Sequence, residues 1–406
     1  MVLQRGALTS VWGTSTKIGD LVELLLDGAV VARRIVDSTH VWQIFFKPPS
    51  NPGPHVLTAS SSLGNVSISD VLFGDVWVCS GQSNMEFMTL GLQNATEEYI
   101  DAANYPNIRL FKVDHAVSAT PLQELTKVGQ VWNKASKAAV NAFTPSALFN
   151  AMINPLLRNT IYGAIWYQGE SNSGRAAAYA CEFPAMIDDW RAKFHQYSLT
   201  TNANFPFGFV QLAPWRPNPK SRAFSDLRWS QTAEVGFVPN SKMNNTFMAV
   251  AIDLPDYTSP YGSIHPRYKH DIARRLGLSS LAVAYHQTGF DYQGPFPTSY
   301  KLDRVHSHVV IEFDHGNTPI EVRETTGFEI CCTYVNHICE EYAGGWKNAT
   351  MTSHSTTSVT LDAHNCNVGG VRYAWRESPC ELRKCAVYSR DSNLPAPPFK
   401  HEAFLQ

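Results

Sequence analysis

No uninterrupted apolar segment of this chain approaches the ~18 residues needed to cross a bilayer, so no membrane span is expected. Runs of Lys or Arg that could track phosphates are missing too. With a formal net charge of -2 and a pI of about 6.7, the composition argues against nucleic acid as a partner, and none is expected. There is no phosphate loop, no Rossmann glycine pattern and no His-rich ligand cluster, so neither a metal nor an organic cofactor is implied. The opening residues, Met1-Val2-Leu3-Gln4-Arg5-Gly6, lack the basic start and apolar stretch of a secretory leader.

What is present is a long globular chain. Its 406 residues, 44% hydrophobic and 12% aromatic, can bury a large core and should hold two or three domains. Four acceptor sequons, at Asn65, Asn94, Asn244 and Asn348, accompany six cysteines crowded into the last third: Cys331, Cys332, Cys339, Cys366, Cys380 and Cys385. Together they favour a secreted or lysosomal, oxidising location, with the cysteines as disulfides. Six cysteines permit fifteen pairings, which the sequence leaves open. The adjacent pair Cys331-Cys332 lacks zinc-ligand spacing.

Three regions are expected. Residues 1–69 are expected to form an N-terminal β domain, because Val11–Ala59 alternates and turns like antiparallel strands, with a hairpin about Asp27-Gly28 joining Asp20–Leu26 to Val30–Val36 and a further strand over His40–Phe46. Residues 70–290 alternate strands with helices, which predicts an α/β domain built on a mostly parallel sheet flanked by helices. The strands are placed at Val71–Cys79, Ile108–Val113, Tyr162–Tyr167, Phe207–Leu212 and Phe247–Ile252. A helix capped at Thr144-Pro145 carries Leu148, Met152 and Leu156, and a second aligns Phe183, Met186, Ile187, Trp190 and Phe194 on one face. Residues 291–406 return to strands as a disulfide-rich β region.

The chemistry is expected in Gly74-Asp75-Val76-Trp77-Val78-Cys79-Ser80-Gly81-Gln82-Ser83-Asn84-Met85, an apolar strand that breaks at a glycine turn. A serine there has its hydroxyl at the mouth of an α/β sheet and its backbone N–H free to face an oxyanion. The stretch resembles the first block of the SGNH-type hydrolases, specifically the sialate O-acetylesterase family and its Gly-Asp-x-Trp-x-Cys-Ser-Gly-Gln-Ser-Asn-Met signature. Trp166-Tyr167-Gln168-Gly169-Glu170-Ser171-Asn172 resembles that family's second strong block. In the family, the counterpart of Met1-Val2-Leu3-Gln4 lies inside the mature protein after a leader, so a lost amino terminus is expected.

The resemblance implies Ser83 as nucleophile and His265, in Gly262-Ser263-Ile264-His265-Pro266, as the base that takes its proton. Pro266 is read as the start of a helix. Many SGNH hydrolases place an aspartate two or three residues before the histidine, but those positions hold Gly262 and Ser263. The acid is left among Glu170, first in rank, Asp253 and Asp256. Asn84, Gln168 and Asn172 are the side-chain amides expected at the oxyanion or substrate, and Arg228 and Gln231, in another family-like segment, are expected at the sugar pocket. A family block of helix, strand and Ser-Trp-Gly-Gly turn is absent between Trp132 and Ser146, where only 133–145 remains. One lost oxyanion donor costs ~2.7–4 kcal/mol in the transition state. Cys181 is left without its counterpart.

The implied activity is removal of O-acetyl groups from sialic acids through an acetyl-enzyme, with O-acetylated sialic acid or its glycoconjugates as substrate. The competing readings are an O-acetylesterase for another polysaccharide and a catalytically impaired glycan-binding or unstable isoform.

Overall fold

The computed structural model describes residues 1–123, 144, 146–217, 222–314, 318–333, 339 and 345–402. The chain forms two compact units. One comprises Met1–Val78, Ile100–Gly163 and Asp188–Phe205, the other Cys79–Tyr99, Ala164–Ile187 and Pro206–Gln406.

In the first unit a five-stranded sheet runs in the order Val2–Gln4, Gly64–Gly74, His55–Ser61, Leu21–Leu26 and Ala29–Ile35. It is mixed, since Val2–Gln4 pairs in parallel with Leu72–Gly74 while the other pairs are antiparallel. The hairpin forms where the sequence places it, because Asp27 (φ 49°) and Gly28 (φ 84°) both take the left-handed conformation that a two-residue hairpin turn requires. Thr9–Thr14 pairs with Val41–Phe46. The core beneath includes Val22, Leu24, Ile44, Phe46, Val71 and Phe73.

A four-stranded sheet orders Thr246–Val250, Phe207–Gln211, Gly163–Tyr167 and Trp77–Gly81, and its first two pairings are parallel. Thr246–Val250 and Phe207–Gln211 are buried along their whole length, as the continuous apolar run of a two-sided strand demands. The helix Ala176–Ser198 places Phe183 against Phe207 and Phe209. Each such ring, removed from water, contributes roughly 1.5–3 kcal/mol. The last third is antiparallel: Pro297–Asp303, His308–Phe313, Ser358–Asp362 and Met351–His354 form one sheet, and Trp346–Ala349, Phe328–Cys332, Val368–Tyr373 and Phe399–His401 another. The fold is therefore α/β with several sheets, and parallel pairing is largely confined to one of them.

Four expectations need correction. Val71–Cys79 is not one strand: the chain leaves the five-stranded sheet at Gly74 and enters the four-stranded sheet at Trp77, with Gln4 accepting a bond from the Val76 N–H (2.8 Å) at the break. Ile108–Val113 forms no strand: among the described residues no strand pairs with it, and Leu110 (97% exposed) and Phe111 (77%) face solvent. The segment with Leu148, Met152 and Leu156 is helical throughout 147–156 but not a regular α-helix, passing into a π-helical turn at Phe149–Ile153 and a 3-10 turn at Asn154–Leu156, while Pro145 and most of 133–145 lie outside the described residues. The helix after His265 begins at Lys269, not at Pro266.

Among the described residues no helix is long and apolar enough to cross a membrane, and no cluster of His, Cys, Asp or Glu could hold a metal. The cysteines pair as Cys331–Cys339, Cys332–Cys366 and Cys380–Cys385. Cys181 and Cys79 have no disulfide.

Candidate active site

The strand Trp77–Gly81 ends in a turn that only glycine can make. Gly81 has φ +150°, and a Cβ there would lie 2.1 Å from the Tyr167 carbonyl oxygen. That close approach lets the Gln82 N–H reach the same carbonyl (2.9 Å) and delivers Ser83 to the first position of the short helix Ser83–Glu86. There the backbone N–H has no intrahelical acceptor, and Ser83 itself is exposed.

His265 Nε2 lies 2.8 Å from Ser83 Oγ, and Nδ1 lies 2.7 Å from the Tyr261 carbonyl oxygen. A carbonyl can only accept, so Nδ1 carries the hydrogen and Nε2 accepts from the serine hydroxyl. The loop is fixed further by Ser259 Oγ donating to the His265 carbonyl (2.8 Å) and by the Phe87 ring, stacked 6.4 Å from the imidazole and 5.1 Å from Tyr261.

None of the three carboxylates nominated as the acid touches this histidine. Asp253 is fully buried and pairs bidentately with Arg275 (2.6 and 2.9 Å), with the Tyr388 hydroxyl donating to it as well (2.9 Å). Asp256 grips Arg267 through Nε (2.6 Å) and NH2 (2.9 Å) and also accepts its backbone N–H (3.0 Å), two residues beyond His265. Burial opposes the charge on Asp256, but the Arg267 hydrogen bonds outweigh it and hold the carboxyl below the ordinary carboxylate range. Glu170 accepts from Asn84 Nδ2 (2.7 Å), and burial raises its carboxyl above the usual value.

Asn84, expected at the oxyanion, is buried (4% exposed), and both amide hydrogens are engaged, one by Glu170 and one by the Ile264 carbonyl (2.9 Å). Its Oδ1 accepts from Lys269 Nζ (2.6 Å). Gln168 donates through Nε2 to Asn172 Oδ1 (2.8 Å) and accepts from the Tyr179 hydroxyl (2.9 Å). That contact fixes which way the Asn172 amide faces and leaves its nitrogen as the donor end. Arg228 and Gln231 are both at 0% exposure and line no open pocket. Arg228 donates to the carbonyls of Leu212, Arg376 and Glu377, and Gln231 to those of Val210 and Gln168, so both brace the main chain around the sheet edge. Burial pulls the Arg228 guanidinium down to about 9, still charged at neutral pH.

Sequence reasoning missed Tyr261, whose contribution is a backbone carbonyl that no side-chain pattern advertises. It also missed Lys269, four residues beyond His265 in the same segment. Burial draws the Lys269 ammonium down to about 7, against the pull of Glu170 and Asp256.

This geometry agrees with what the chain is similar to. The family model described as the sialate O-acetylesterase C-terminal domain matches residues 298–403. Sialate O-acetylesterase of Mus musculus is 33% identical over 506 aligned positions, covering 98% of this chain and 92% of that protein. The Homo sapiens protein of the same name is 34% identical, covering 98% and 90%. Among solved structures, a carbohydrate acetylesterase from Xanthomonas citri superposes with a TM-score of 0.80 at 27% identity, covering 99% of this chain and 97% of that one. Identity at this level, sustained over nearly the full length of both proteins, makes this chain a member of the sialate O-acetylesterase family.

Proposed function

We propose that this chain is a serine esterase that removes O-acetyl groups from sialic acids. The observation that carries the reading is the Ser83–His265 contact with the imidazole held in one tautomer. Ser83 Oγ attacks the acetyl carbonyl carbon as its proton passes to His265 Nε2, and as the intermediate collapses the imidazolium gives that proton to the departing sugar oxygen, which leaves as a hydroxyl. Water, activated by the same nitrogen, then releases acetate from Ser83. The Tyr261 carbonyl orients the imidazole as a carboxylate would, but supplies a dipole rather than a full charge against the imidazolium. The Ser83 N–H and the Asn172 amide nitrogen are the oxyanion donors of this scheme.

The fold is read as SGNH-hydrolase-like, with the esterase region at 70–290 between an N-terminal β domain, 1–69, and a C-terminal β region, 291–406. Secretion or lysosomal residence fits the three disulfides and the exposure of all four sequon asparagines, Asn65, Asn94, Asn244 and Asn348. A catalytically impaired glycan-binding isoform is the second reading. It is favoured by an alignment that spans 506 positions against 406 residues here, as expected if a block with an oxyanion glycine is missing.

Acetate release from O-acetylated sialic acid, measured beside Ser83→Ala, separates the two. Activity that disappears with Ser83 supports the esterase. A folded, monodisperse wild type that neither releases acetate nor reacts with a fluorophosphonate sinks it.

A further inference from the structure

The most constrained polar group near Ser83 is its neighbour. With Lys269 and Glu170 ionised, the state their mutual attraction favours, Asn84 is buried between three partners of fixed character: the Lys269 ammonium, which can only donate, and the Glu170 carboxylate and the Ile264 carbonyl, which can only accept. Turning the amide over would set its NH2 against the ammonium and its oxygen against two acceptors. The arrangement therefore admits one orientation. In that orientation Asn84 joins the residue after Ser83 to the residue before His265.

Lys269 is placed for this task. It opens the helix Lys269–Val283, and its Nζ lies over the rings of Phe87 (5.0 Å) and Tyr167 (4.9 Å), of which Phe87 also packs on His265. The charged and titratable groups around it are Glu170, Asp256, which is paired with Arg267, and His265 on the preceding loop. Glu170 Oε2 is buried with no hydrogen-bond partner among the described residues, so Glu170 holds Asn84 through one oxygen alone and the ammonium fixes the other end of the amide.

The geometry points to Lys269 as a positioning residue that locks the Asn84 amide and thereby sets the spacing of Ser83 and His265. Resting on the esterase reading, this adds a residue that touches neither substrate nor reacting atoms. Without the lysine, the buried Asn84 Oδ1 loses its donor and the amide is anchored only at its nitrogen end, free to tilt away from the Ile264 carbonyl. A displacement of about 1 Å between reacting groups costs on the order of a hundredfold in rate.

The test measures kcat and KM for 4-nitrophenyl acetate, and the rate of fluorophosphonate labelling, in wild type, Ser83→Ala, Lys269→Met, Lys269→Arg, Asn84→Leu and the Lys269→Met/Asn84→Leu double variant, with thermal unfolding alongside. Lys269→Met is expected to lower kcat and labelling tenfold to a hundredfold with KM within about twofold, and the double variant to lose no more than the worse single one. A folded Lys269→Met with the wild-type rate, or losses that multiply in the double variant, overturns the lock. Should Lys269→Met not fold, Lys269→Arg decides. Folded and within about threefold of wild type, it supports a role for the fixed donor; folded and as slow as Asn84→Leu, it refutes one. Failure of the esterase reading looks different, since Ser83→Ala would then hydrolyse and label like wild type.

Discussion

Replacing Asp253 by Asn separates a structural carboxylate from a catalytic one. Asp253 has no exposed surface and Arg275 only 5%, and they meet through two hydrogen bonds, so the substitution strands a buried guanidinium without its counter-charge. Breaking one side of such a pair typically costs about 3–5 kcal/mol. At roughly 2–4 °C per kcal/mol, the unfolding midpoint should fall by on the order of 6 to 20 °C. The Tyr388 hydroxyl keeps an acceptor in the asparagine oxygen and does not add to the loss. Thermal unfolding followed by circular dichroism gives the midpoint, and kcat is read well below it, where it should stay within about twofold of wild type. Asp253→Asn/Arg275→Met should recover part of the lost stability, because it also removes the guanidinium left buried without its counter-charge. An unchanged midpoint with kcat down a thousandfold would refute this reasoning and return Asp253 to the chemistry.

Gly81→Ala should leave little or no folded, labelling-competent protein, since its Cβ would fall 2.1 Å from the Tyr167 carbonyl oxygen; normal expression and fluorophosphonate labelling would contradict the turn geometry. Asp256→Asn loosens the loop beyond His265, and kcat is expected to fall about tenfold or more, against the near-constant kcat of Asp253→Asn. The pH sense of the same pair follows from its depressed carboxyl: its contribution is complete above about pH 4, the unfolded value, and is lost as the pH falls through the lower folded value. An acid-unfolding profile unaltered by Asp256→Asn would argue against it.

The elements legible in the sequence are those written in local chemistry. Asp27-Gly28 specifies its hairpin, the apolar run Phe207–Gln211 its buried strand, and the Gly81 turn the presentation of Ser83. His265 was nameable only because a family pattern surrounds it. The acid was not recoverable, because the group that holds the imidazole is a main-chain carbonyl, and every residue carries one. Arg228 and Gln231 misled for the opposite reason. Their polarity suggests a ligand, yet it serves buried carbonyls from remote parts of the chain, which local sequence cannot reveal. Ile108–Val113 shows the same limit for strands: a strand-like stretch becomes a strand only where another pairs with it, and among the described residues none does.

The Ser83–His265 contact spans 182 positions of sequence. On a ribosome adding 5–20 residues each second, the serine emerges about ten to forty seconds before the histidine that activates it. Through that interval the nascent chain carries an ordinary, unreactive hydroxyl. Hydrolytic competence is thus withheld until translation has passed the third strand of the sheet, the fourth, and the loop behind them.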